Sequence, residues 1–511
     1  MVRILSGTVI GTHGVVIEVE ARPSKTLAPA SFHGSESLRE SSIRSRWALK
    51  NNGVDVRADV TFAPADLRFE GTAMDLPAAL AAYATMHPAM EGALRGFMVV
   101  GELSMEGALR PIRGVLPLAI AAKEQGLKGI IVPAGNRNEA AVIGGIEVKG
   151  FAHIGDVFAW ARGEPGETIL PSVDVTTLML DDNLVDPCDF SEVRAQEPAK
   201  RALEIAAAGG HNVLLVGSPG AGKTMLAKRL STILPRMTFN EAIETTKIYS
   251  VAGLLPEYAS LVTRRPFRCP HHTVSDAGLV GGGPVPRPGE ASLAHNGVLM
   301  LDELPEFKRH VLEVLRQPLE DRHVTITRAV TSFRYPASFI LVGAMDPCPC
   351  GYAGHAERAC TCTREAIARW ASRIVPLADR MDIRVEMPAI SYRELARRSD
   401  SSRNGHPAES SAAVRARVEA ARAVQRERFA RTPRIHTNAQ MGPRLIRSAC
   451  PLTTEGRQLL AGVVERLGIS EHAHAAILKV ARTIADLATS PEIRPEHLAE
   501  AVQYRHHAPK A

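Results

Sequence analysis

The segment 212–224, NVLLVGSPGAGKT, holds the residues whose types and spacing are best suited to chemistry. A short apolar run precedes a glycine-rich loop that ends in Lys223 and Thr224, which matches the phosphate-binding pattern G-x-x-x-x-G-K-S/T. Glycines let backbone N–H groups approach phosphate oxygens, the lysine would reach the β and γ phosphates, and the threonine hydroxyl would hold Mg²⁺. The predicted phosphate-binding residues are Gly217, Ser218, Pro219, Gly220, Ala221, Gly222, Lys223 and Thr224. The sequence therefore predicts a nucleoside triphosphate site, with ATP and Mg²⁺ as its ligands.

An acidic pair follows an apolar run in the segment 297–307, GVLMLDELPEF. A buried strand that ends in Asp-Glu beside a phosphate loop is the Walker B arrangement. In that arrangement Asp302 would hold Mg²⁺ through water, and Glu303 would polarise the attacking water. We therefore predict that Lys223, Asp302 and Glu303 are catalytic residues of an ATP hydrolase.

Four cysteines lie close together in the segment 348–362, with the spacing C-x-C-x₉-C-x-C. Cys348, Cys350, Cys360 and Cys362 could complete a tetrahedral structural zinc site, and His355 could replace one of them. The C-x-C spacing is tighter than the C-x₂-C of common zinc ribbons. Reduced free thiols and a redox switch therefore stay open as alternatives to zinc.

The composition is that of an ordinary soluble protein with several domains. The 511 residues are 45% hydrophobic and 23% charged, enough for two to four domains at roughly 100–200 residues each. The net charge of +6 and the pI near 9.0 suit a polyanionic partner, but they also suit many proteins without one. Without a long apolar run or a signal-peptide layout, the sequence predicts a cytoplasmic protein with no membrane partner. The seven cysteines, an odd number, argue against a disulfide framework.

Periodicity divides the chain into four regions. Residues 1–163 alternate strand-like runs such as VDVRADVTF with helix-like runs such as VLPLAIAAKEQGL, which predicts an α+β domain. Residues 164–188 mix Pro, Asp and Thr without sustained periodicity and are predicted to be a linker. The predicted nucleotide-binding domain occupies 189–389, and 390–511 is predicted to be helical.

The stretch 96–133, GFMVVGELSMEGALRPIRGVLPLAIAAKEQGLKGIIVP, resembles the proteolytic domain of Lon proteases, whose fold is ribosomal-S5-like. That family uses a serine and a lysine as its catalytic dyad. The resemblance places Ala73 at the serine position and Leu116 at the lysine position. Neither side chain is a nucleophile or a base, so peptidase activity is rejected and a scaffold or interaction module is expected.

Two predicted hairpins carry an arginine near the tip. The run 281–288, GGGPVPRP, reads as a loop or hairpin inserted in a helix that resumes at GEASLAHNG. The segment 317–346 reads as a β-hairpin with its turn near Arg328, feeding a buried strand at 339–342. Arg287 and Arg328 are therefore candidates for pore loops that contact DNA, and the alternative is two solvated hairpins. A helix rich in arginine at 413–434 could likewise track phosphates or simply be a solvated face.

From about Asp189 to its end the chain resembles the magnesium-chelatase-like AAA+ ATPases of the YifB/ComM group, on the motifs RPFRCPHH, GEASLAHNGVLMLDELPEF, DPCPCG and KVARTIADL. The Lon-like N-terminal domain also belongs to that group. The resemblance implies an α/β P-loop NTPase core of the AAA+ class with a helical C-terminal lid. It further implies a nucleotide-dependent ring, usually a homohexamer, with ATP at the subunit interfaces. The activity it implies is DNA branch migration or helicase action in natural transformation or recombination.

The resemblance also assigns residues at the edges of the nucleotide site. Arg380 matches the arginine finger that completes a neighbour's site, although a local Arg–Asp surface pair is the alternative. Val193 and Gln196 match the positions that contact adenine, and core packing explains Val193 equally well.

Two residues depart from the family pattern in ways that predict reduced turnover. Asp346 stands where related sequences have a sensor asparagine, and an ionised carboxylate would repel phosphate. His472 stands at the place of the arginine taken as the second sensor. Arg482 is a candidate substitute, but it lies ten residues and nearly three turns further along, and the alternative is that it has another role. A DNA-remodelling ATPase is therefore the leading hypothesis. The alternatives are a chaperone-like or regulatory ATPase acting on a protein partner and a nucleotide-binding assembly factor with weak turnover.

Overall fold

The structure of the chain, a computed structural model, describes most of its length. The described residues are 1–24, 31–32, 36–64, 72–165, 167–180, 188–193, 195–256, 259–283, 286–328, 331–389, 409–432 and 435–506.

The N-terminal region is built on a mixed sheet of seven strands in the order β3-β4-β2-β1-β5-β8-β9, and β6 pairs with β7 in a small ribbon beside it. Its strands are β1 Val2–Ile10, β2 His13–Pro23, β3 Ser31–Phe32, β4 Ala58–Ala63, β5 Phe97–Val99, β6 Glu102–Leu103, β7 Leu109–Arg110, β8 Gly129–Pro133 and β9 Glu147–Phe151. Strands β1, β2 and β4 pair antiparallel, whereas β1, β5, β8 and β9 pair in parallel. The predicted strands GVVIEVE and GIIVP lie in β2 and β8, in agreement with the predicted alternation of strands and helices in this region.

Helices cover this sheet and continue into the predicted linker. They are α1 Glu36–Asn51, α2 Asp75–Ala84, α3 Pro88–Leu94, α4 Val115–Glu124, α5 Arg137–Ala141, α6 Ile154–Ala161 and α7 Val175–Leu180, with a short 3₁₀ turn at Ala134–Asn136. Helix α2 is buried along its whole length, in agreement with its nearly uniform apolar sequence DLPAALAAYA. Helix α7 lies within 164–188, where the sequence predicted no regular structure.

The second region has a parallel sheet of five strands in the order β11-β14-β17-β10-β18. Its strands are β10 Val213–Gly217, β11 Phe267–Arg268, β14 Val298–Leu301, β17 Ile340–Met345 and β18 Ile383–Met387, and the paired ribbons beside it are β12 Gly281–Gly282 with β13 Arg287–Pro288 and β15 His323–Arg328 with β16 Thr331–Pro336. Its helices are α8 Glu197–Gly209, α9 Lys223–Ile233, α10 Phe239–Ala252, α11 Asp276–Val280, α12 Glu290–Leu293, α13 Arg309–Val314, α14 Arg316–Asp321, α15 Arg364–Ser372 and α16 Val375–Ala378, with 3₁₀ turns at Phe190–Glu192 and Leu304–Glu306. The predicted α/β core with a parallel sheet is thus confirmed. Both predicted hairpins are also present.

The C-terminal region is helical, with α17 Ser411–Arg428, α18 Pro443–Ala449, α19 Thr454–Leu467, α20 Glu471–Leu487 and α21 Pro495–His506, and a 3₁₀ turn at Asn438–Gln440. Its apolar side chains share one core with α8 and α9. That these helices act as a lid over a nucleotide stays a prediction. Within the described ranges, no helix combines the length and apolar character needed to cross a membrane.

The N-terminal region packs directly against α10 of the second region. Leu116 is fully buried in a cluster with Met237, Ala242 and Leu261. The Glu139 carboxylate beside it accepts hydrogen bonds from the Leu116 N–H at 2.9 Å and from the Ser250 hydroxyl. Leu116, which the sequence resemblance placed at the lysine position of Lon proteases, thus serves the packing between the two regions. Burial in this cluster explains why position 116 carries an apolar residue.

Candidate nucleotide site

The phosphate loop lies between β10 and α9, as the motif requires. Gly220 and Gly222 have φ angles of +80° and +87°, a region that L side chains rarely adopt. An added Cβ at either glycine would meet no atom of the described residues within 4 Å, so the loop faces open space. The loop also delivers the N-terminus of the 11-residue helix α9 toward that space. Open space, exposed backbone N–H groups and a helix N-terminus together fit an anionic phosphate chain.

Thr224 and Asp302 meet at the carboxyl edge of the parallel sheet. Thr224 begins the first turn of α9, and Asp302 directly follows β14. The Thr224 hydroxyl donates a hydrogen bond to the Asp302 carboxylate at 2.6 Å. A hydroxyl and a carboxylate are oxygen ligands of the kind that Mg²⁺ prefers, so the pair is suited to that ion.

Glu303 lies at the same edge, and its side chain is about two-thirds exposed. Its backbone is left-handed, with a φ of +52°. His272 Nδ1 lies 3.2 Å from a carboxylate oxygen of Glu303, and its ring stands 4.0 Å from that of His271. The sequence did not predict a role for His272. Its place in the motif RPFRCPHH, beside the edge strand β11, was the available signal.

Lys223 is paired with Asp346 across the loop. Its ammonium group donates to the Gly217 carbonyl at 2.7 Å and to the Asp346 carboxylate at 2.8 Å. The Asp346 carbonyl in turn accepts a hydrogen bond from Trp370 Nε1 at 2.9 Å. The sequence predicted that Asp346 stands at a sensor position and would repel phosphate, and that role stays a prediction. In the structure its carboxylate pairs with Lys223, the residue that phosphate would also bind.

Arg380 lies at the opposite edge of the sheet. Its carbonyl accepts a hydrogen bond from the side chain of Asn212, which immediately precedes β10, whereas the phosphate loop follows that strand. The five residues of β10 separate the two edges by about 16 Å at the usual strand rise. The Arg380 guanidinium pairs with Glu320. This position keeps Arg380 away from the phosphate loop of its own chain.

His472 accompanies Arg380 rather than the phosphate loop. It is exposed at the start of α20 and lines the same cavity of about 240 Å³ as Arg380, together with Arg309 and Arg316. Arg482 is 2% exposed, and its guanidinium binds Asp486, the Ser490 carbonyl and the Pro491 carbonyl. The suggestion that Arg482 contacts nucleotide was therefore wrong, because its side chain is buried and holds the end of its own helix.

The two residues predicted to contact adenine are both buried. Val193 is 5% exposed and belongs to the core shared with α8, which is the alternative that the sequence left open. Gln196 is 7% exposed, and its side-chain amide donates to the Pro388 carbonyl at 2.8 Å. A role of these residues at an adenine stays a prediction.

The four cysteines of the segment 348–362 converge. Their sulfur atoms all lie within 4.8 Å of one another, and Cys348 is buried while the other three are half-buried. The Sγ atoms of Cys348, Cys350 and Cys360 are 3.3–3.6 Å apart. Hydrogen bonds from the backbone near Tyr352 and Thr361 lower the pKa of Cys350 to about 5. His355 is occupied differently, because its Nδ1 accepts from the backbone N–H groups of Glu357 and Arg358.

The residues predicted to contact DNA lie on the two hairpins and on helix α17. Arg287 is exposed on the β12–β13 ribbon, and Arg328 ends β15. The arginine-rich helix α17 faces inward: Arg415 donates to the Thr232 carbonyl, Arg422 to the Ala207 carbonyl, and Arg428 to Asp486. Burial lowers the pKa of Arg422 to about 9. These three arginines of α17 therefore bind the protein itself, whereas Arg426 is exposed, and phosphate tracking by this helix stays a prediction.

Comparison with known sequences agrees with this architecture. Sequence models described as "Magnesium chelatase, subunit ChlI", "Magnesium chelatase, subunit ChlI C-terminal" and "Subunit ChlI of Mg-chelatase" match residues 189–395, 408–505 and 19–136. The uncharacterized protein YifB of Escherichia coli is 40% identical over 503 residues, covering 97% of this chain and 95% of its own. The competence protein ComM of Haemophilus influenzae is 38% identical over 475 residues, covering 92% and 90%.

The chain is a YifB/ComM-type magnesium-chelatase-like protein. The magnesium-chelatase 38 kDa subunit of Rhodobacter capsulatus is a more distant relative, 28% identical over 177 residues that cover 31% of this chain and half of that subunit. As a magnesium-chelatase-like protein, the chain has the mixed α/β core with a parallel sheet expected of AAA+ members. The Lon-like character of its N-terminal region stays a prediction.

Proposed function

We propose that this protein is an ATP-driven motor that assembles into a ring and remodels DNA. The observation that carries the proposal is the separation of two sets of residues. Lys223, Thr224, Asp302 and Glu303 meet at the carboxyl edge of the sheet, and Arg380 lies at the opposite edge. A second copy of the chain would bring the two sets together.

Within one chain, the residues at the carboxyl edge of the parallel sheet would bind the nucleotide and activate the attacking water. The loop N–H groups and Lys223 would hold the phosphates, and Thr224 and Asp302 would hold Mg²⁺, which when bound neutralises phosphate charge. Glu303 would accept a proton from the attacking water. His272, 3.2 Å from its carboxylate, would fix the direction in which that carboxylate points.

Completion of the site requires a neighbour. In a ring, Arg380 of one subunit would face the phosphate loop of the next and stabilise the charge that develops on the γ-phosphate. His472 lines the same cavity as Arg380, so a sensor role for it would also act on the neighbouring subunit's nucleotide. A single subunit is then expected to bind ATP and hydrolyse it slowly.

The DNA part of the proposal rests on the family and on the hairpins. A relative that matches nearly the whole chain is named a competence protein, and the ribbon that carries Arg287 projects an exposed arginine from the core. A positive residue on each subunit of a ring would line a pore with charges that attract the phosphate backbone. Sequence-independent binding with strong salt dependence is the expected behaviour.

One observation favours the alternative of an assembly factor with weak turnover. The ion pair between Lys223 and Asp346 is 2.8 Å long, so phosphate must displace a carboxylate to reach the lysine. That competition would lower both ATP affinity and the rate of hydrolysis.

The proposal is tested by ATP hydrolysis with and without single-stranded and forked DNA, measured beside oligomer mass with and without ATP. The matched variant Glu303→Gln should bind ATP and form the oligomer without hydrolysis, because only the water-activating carboxylate is lost. Stimulation of the wild type by DNA supports the motor. A nucleotide-dependent oligomer whose slow hydrolysis ignores every DNA would instead favour the assembly factor.

A further inference from the structure

The cysteine cluster has the geometry of an occupied metal site. Four thiolates around a tetrahedral Zn²⁺ with bonds of about 2.3 Å lie about 3.8 Å apart. The measured Sγ separations of 3.3–3.6 Å, with all four sulfurs within 4.8 Å, are close to that value. Backbone N–H groups of Ala353 and Cys362 donate hydrogen bonds to the sulfurs of Cys348 and Cys360, and outer hydrogen bonds of this kind orient metal ligands.

The cluster occupies a loop that has little else to hold it. The described segment 347–363 contains neither helix nor strand, and Cys348 is its only cysteine that is fully buried. A loop of this length without regular structure has few backbone hydrogen bonds and little apolar burial to order it. Structural zinc commonly supplies that free energy, because it joins ligands from both ends of a segment.

Both ends of this loop are tied to Asp346. The loop starts at Pro347, directly after Asp346, and ends where α15 begins at Arg364. Trp370 of α15 then returns to the Asp346 carbonyl with a hydrogen bond of 2.9 Å. The chain therefore leaves Asp346, passes through the cysteine loop and returns to the Asp346 carbonyl from α15.

The loop also rests on the phosphate loop. Gly351 has a φ of +84°, and an added Cβ there would lie 2.6 Å from Cδ of Pro219 and 3.4 Å from a carboxylate oxygen of Asp346. Only glycine permits so close an approach. Through this contact, the cysteine loop packs directly on Pro219 of the phosphate loop.

We propose that the cluster of Cys348, Cys350, Cys360 and Cys362 binds one Zn²⁺, and that the metal holds the phosphate loop, through the contact of Gly351 with Pro219, in the arrangement that binds nucleotide. The proposal rests on the proposed nucleotide site and deepens it, since it assigns a second metal that acts on ATP binding from outside the site. Zinc here positions residues and takes no part in the reaction.

The test compares the double variant Cys360→Ser, Cys362→Ser with Cys450→Ala, which removes a buried thiol far from the cluster. Metal is counted by elemental mass spectrometry in protein purified without chelator, and ATP affinity is measured by calorimetry with Mg²⁺ present. Wild type and Cys450→Ala should carry close to one zinc per chain, and the double variant close to none. Its ATP affinity should fall by roughly 10- to 100-fold, the usual loss when a supporting shell is removed.

A reversible measurement keeps the proposal testable if the double variant does not fold. Wild-type protein treated with 1,10-phenanthroline should lose zinc and ATP affinity together and regain both when zinc is returned. The non-chelating isomer 1,7-phenanthroline should change neither.

Wild-type protein without zinc, or with the cluster cysteines in disulfides, overturns the metal assignment and leaves the proposed nucleotide site intact. Zinc that can be removed with ATP affinity unchanged overturns the coupling. Zinc bound by a wild-type chain that does not bind ATP refutes the proposed nucleotide site, and the coupling with it.

Discussion

Replacement of Asp346 by asparagine should strengthen ATP binding. Lys223 Nζ and the Asp346 carboxylate are 2.8 Å apart, and their side chains are 10% and 33% exposed. At that distance, opposite charges attract by about 6 kcal/mol at an effective dielectric constant of about 20 and by about 1.5 kcal/mol in water. Desolvation offsets much of this attraction, so the net value is set by the usual contribution of a hydrogen bond to a charged group, about 1.5–3 kcal/mol.

Asp346→Asn removes this competition for Lys223 and the repulsion of phosphate, while the shape of the side chain is kept. Since 1.4 kcal/mol corresponds to a factor of ten, ATP affinity should rise roughly 10- to 100-fold. The gain should shrink as salt is raised, because ions screen charges that are partly exposed. Calorimetric titration with ATP and Mg²⁺ at two salt concentrations measures both effects.

The matched control for this prediction is Glu357→Gln, which removes one negative charge from the exposed surface of the cysteine loop, 347–363, that follows Asp346. Its ATP affinity should stay within twofold of the wild type, a limit of about 0.4 kcal/mol. If Asp346→Asn binds ATP no more tightly than Glu357→Gln does, the ion pair does not compete with phosphate and the reasoning is refuted.

Three further predictions concern other parts of the structure. His272→Ala should lower kcat roughly tenfold with KM unchanged, because the Glu303 carboxylate loses the group that orients it, and an equal loss in ATP affinity would contradict this. Arg380→Ala should lower hydrolysis by roughly 10³-fold, and mixing it with Lys223→Ala should restore part of the activity if each acts in a different subunit, whereas no restoration in mixed oligomers would count against action between subunits. Burial raises the pKa of Glu139 above its ordinary 4.5, so its carboxylate costs stability as pH rises through the raised pKa. The melting temperature of Glu139→Gln relative to wild type should therefore be higher at about pH 7.5 than at about pH 4.5, and a pH-independent difference would exclude this cost.

The local parts of the site could be predicted from the sequence, because their residues are neighbours in the chain. The phosphate loop is one continuous segment, and the order of its apolar strand, glycine-rich loop and helix is visible in the sequence. Gly220 and Gly222 adopt the left-handed backbone that glycine permits in such a loop. The Asp-Glu pair after β14 is equally local. Parallel strands then bring Thr224 and Asp302 to one edge, which the order of elements already suggested.

Contacts between distant segments could not be predicted in the same way. The partner of Lys223 is a carboxylate 123 residues away, and no spacing rule links the two. The contact between His272 and Glu303 depends on the pairing of β11 beside β14. Arg482 was wrongly assigned to the nucleotide, although the sequence held a local signal against it. Asp486 lies four residues later on the same face of an otherwise apolar helix, which indicates an ion pair within that helix.

In the arginine-rich helix α17, too, contacts with distant segments decide what the charged side chains do. Arg415 and Arg422 are seven residues apart and so share one face of α17, the face that packs on α8 and α9. Their long side chains cap backbone carbonyl groups of neighbouring helices. Charge counted along the sequence does not separate such inward contacts from a solvated or DNA-binding surface.

Nucleotide hydrolysis at this site is proposed to be coupled to DNA. Steady-state ATP hydrolysis by the purified protein, with and without forked DNA, tests this coupling, with Lys223→Ala as the control without phosphate binding. We expect a wild-type rate that DNA stimulates in a salt-dependent way, and no rate above background for Lys223→Ala in either condition. A wild-type rate that is unchanged by single-stranded and forked DNA at every salt concentration would contradict it.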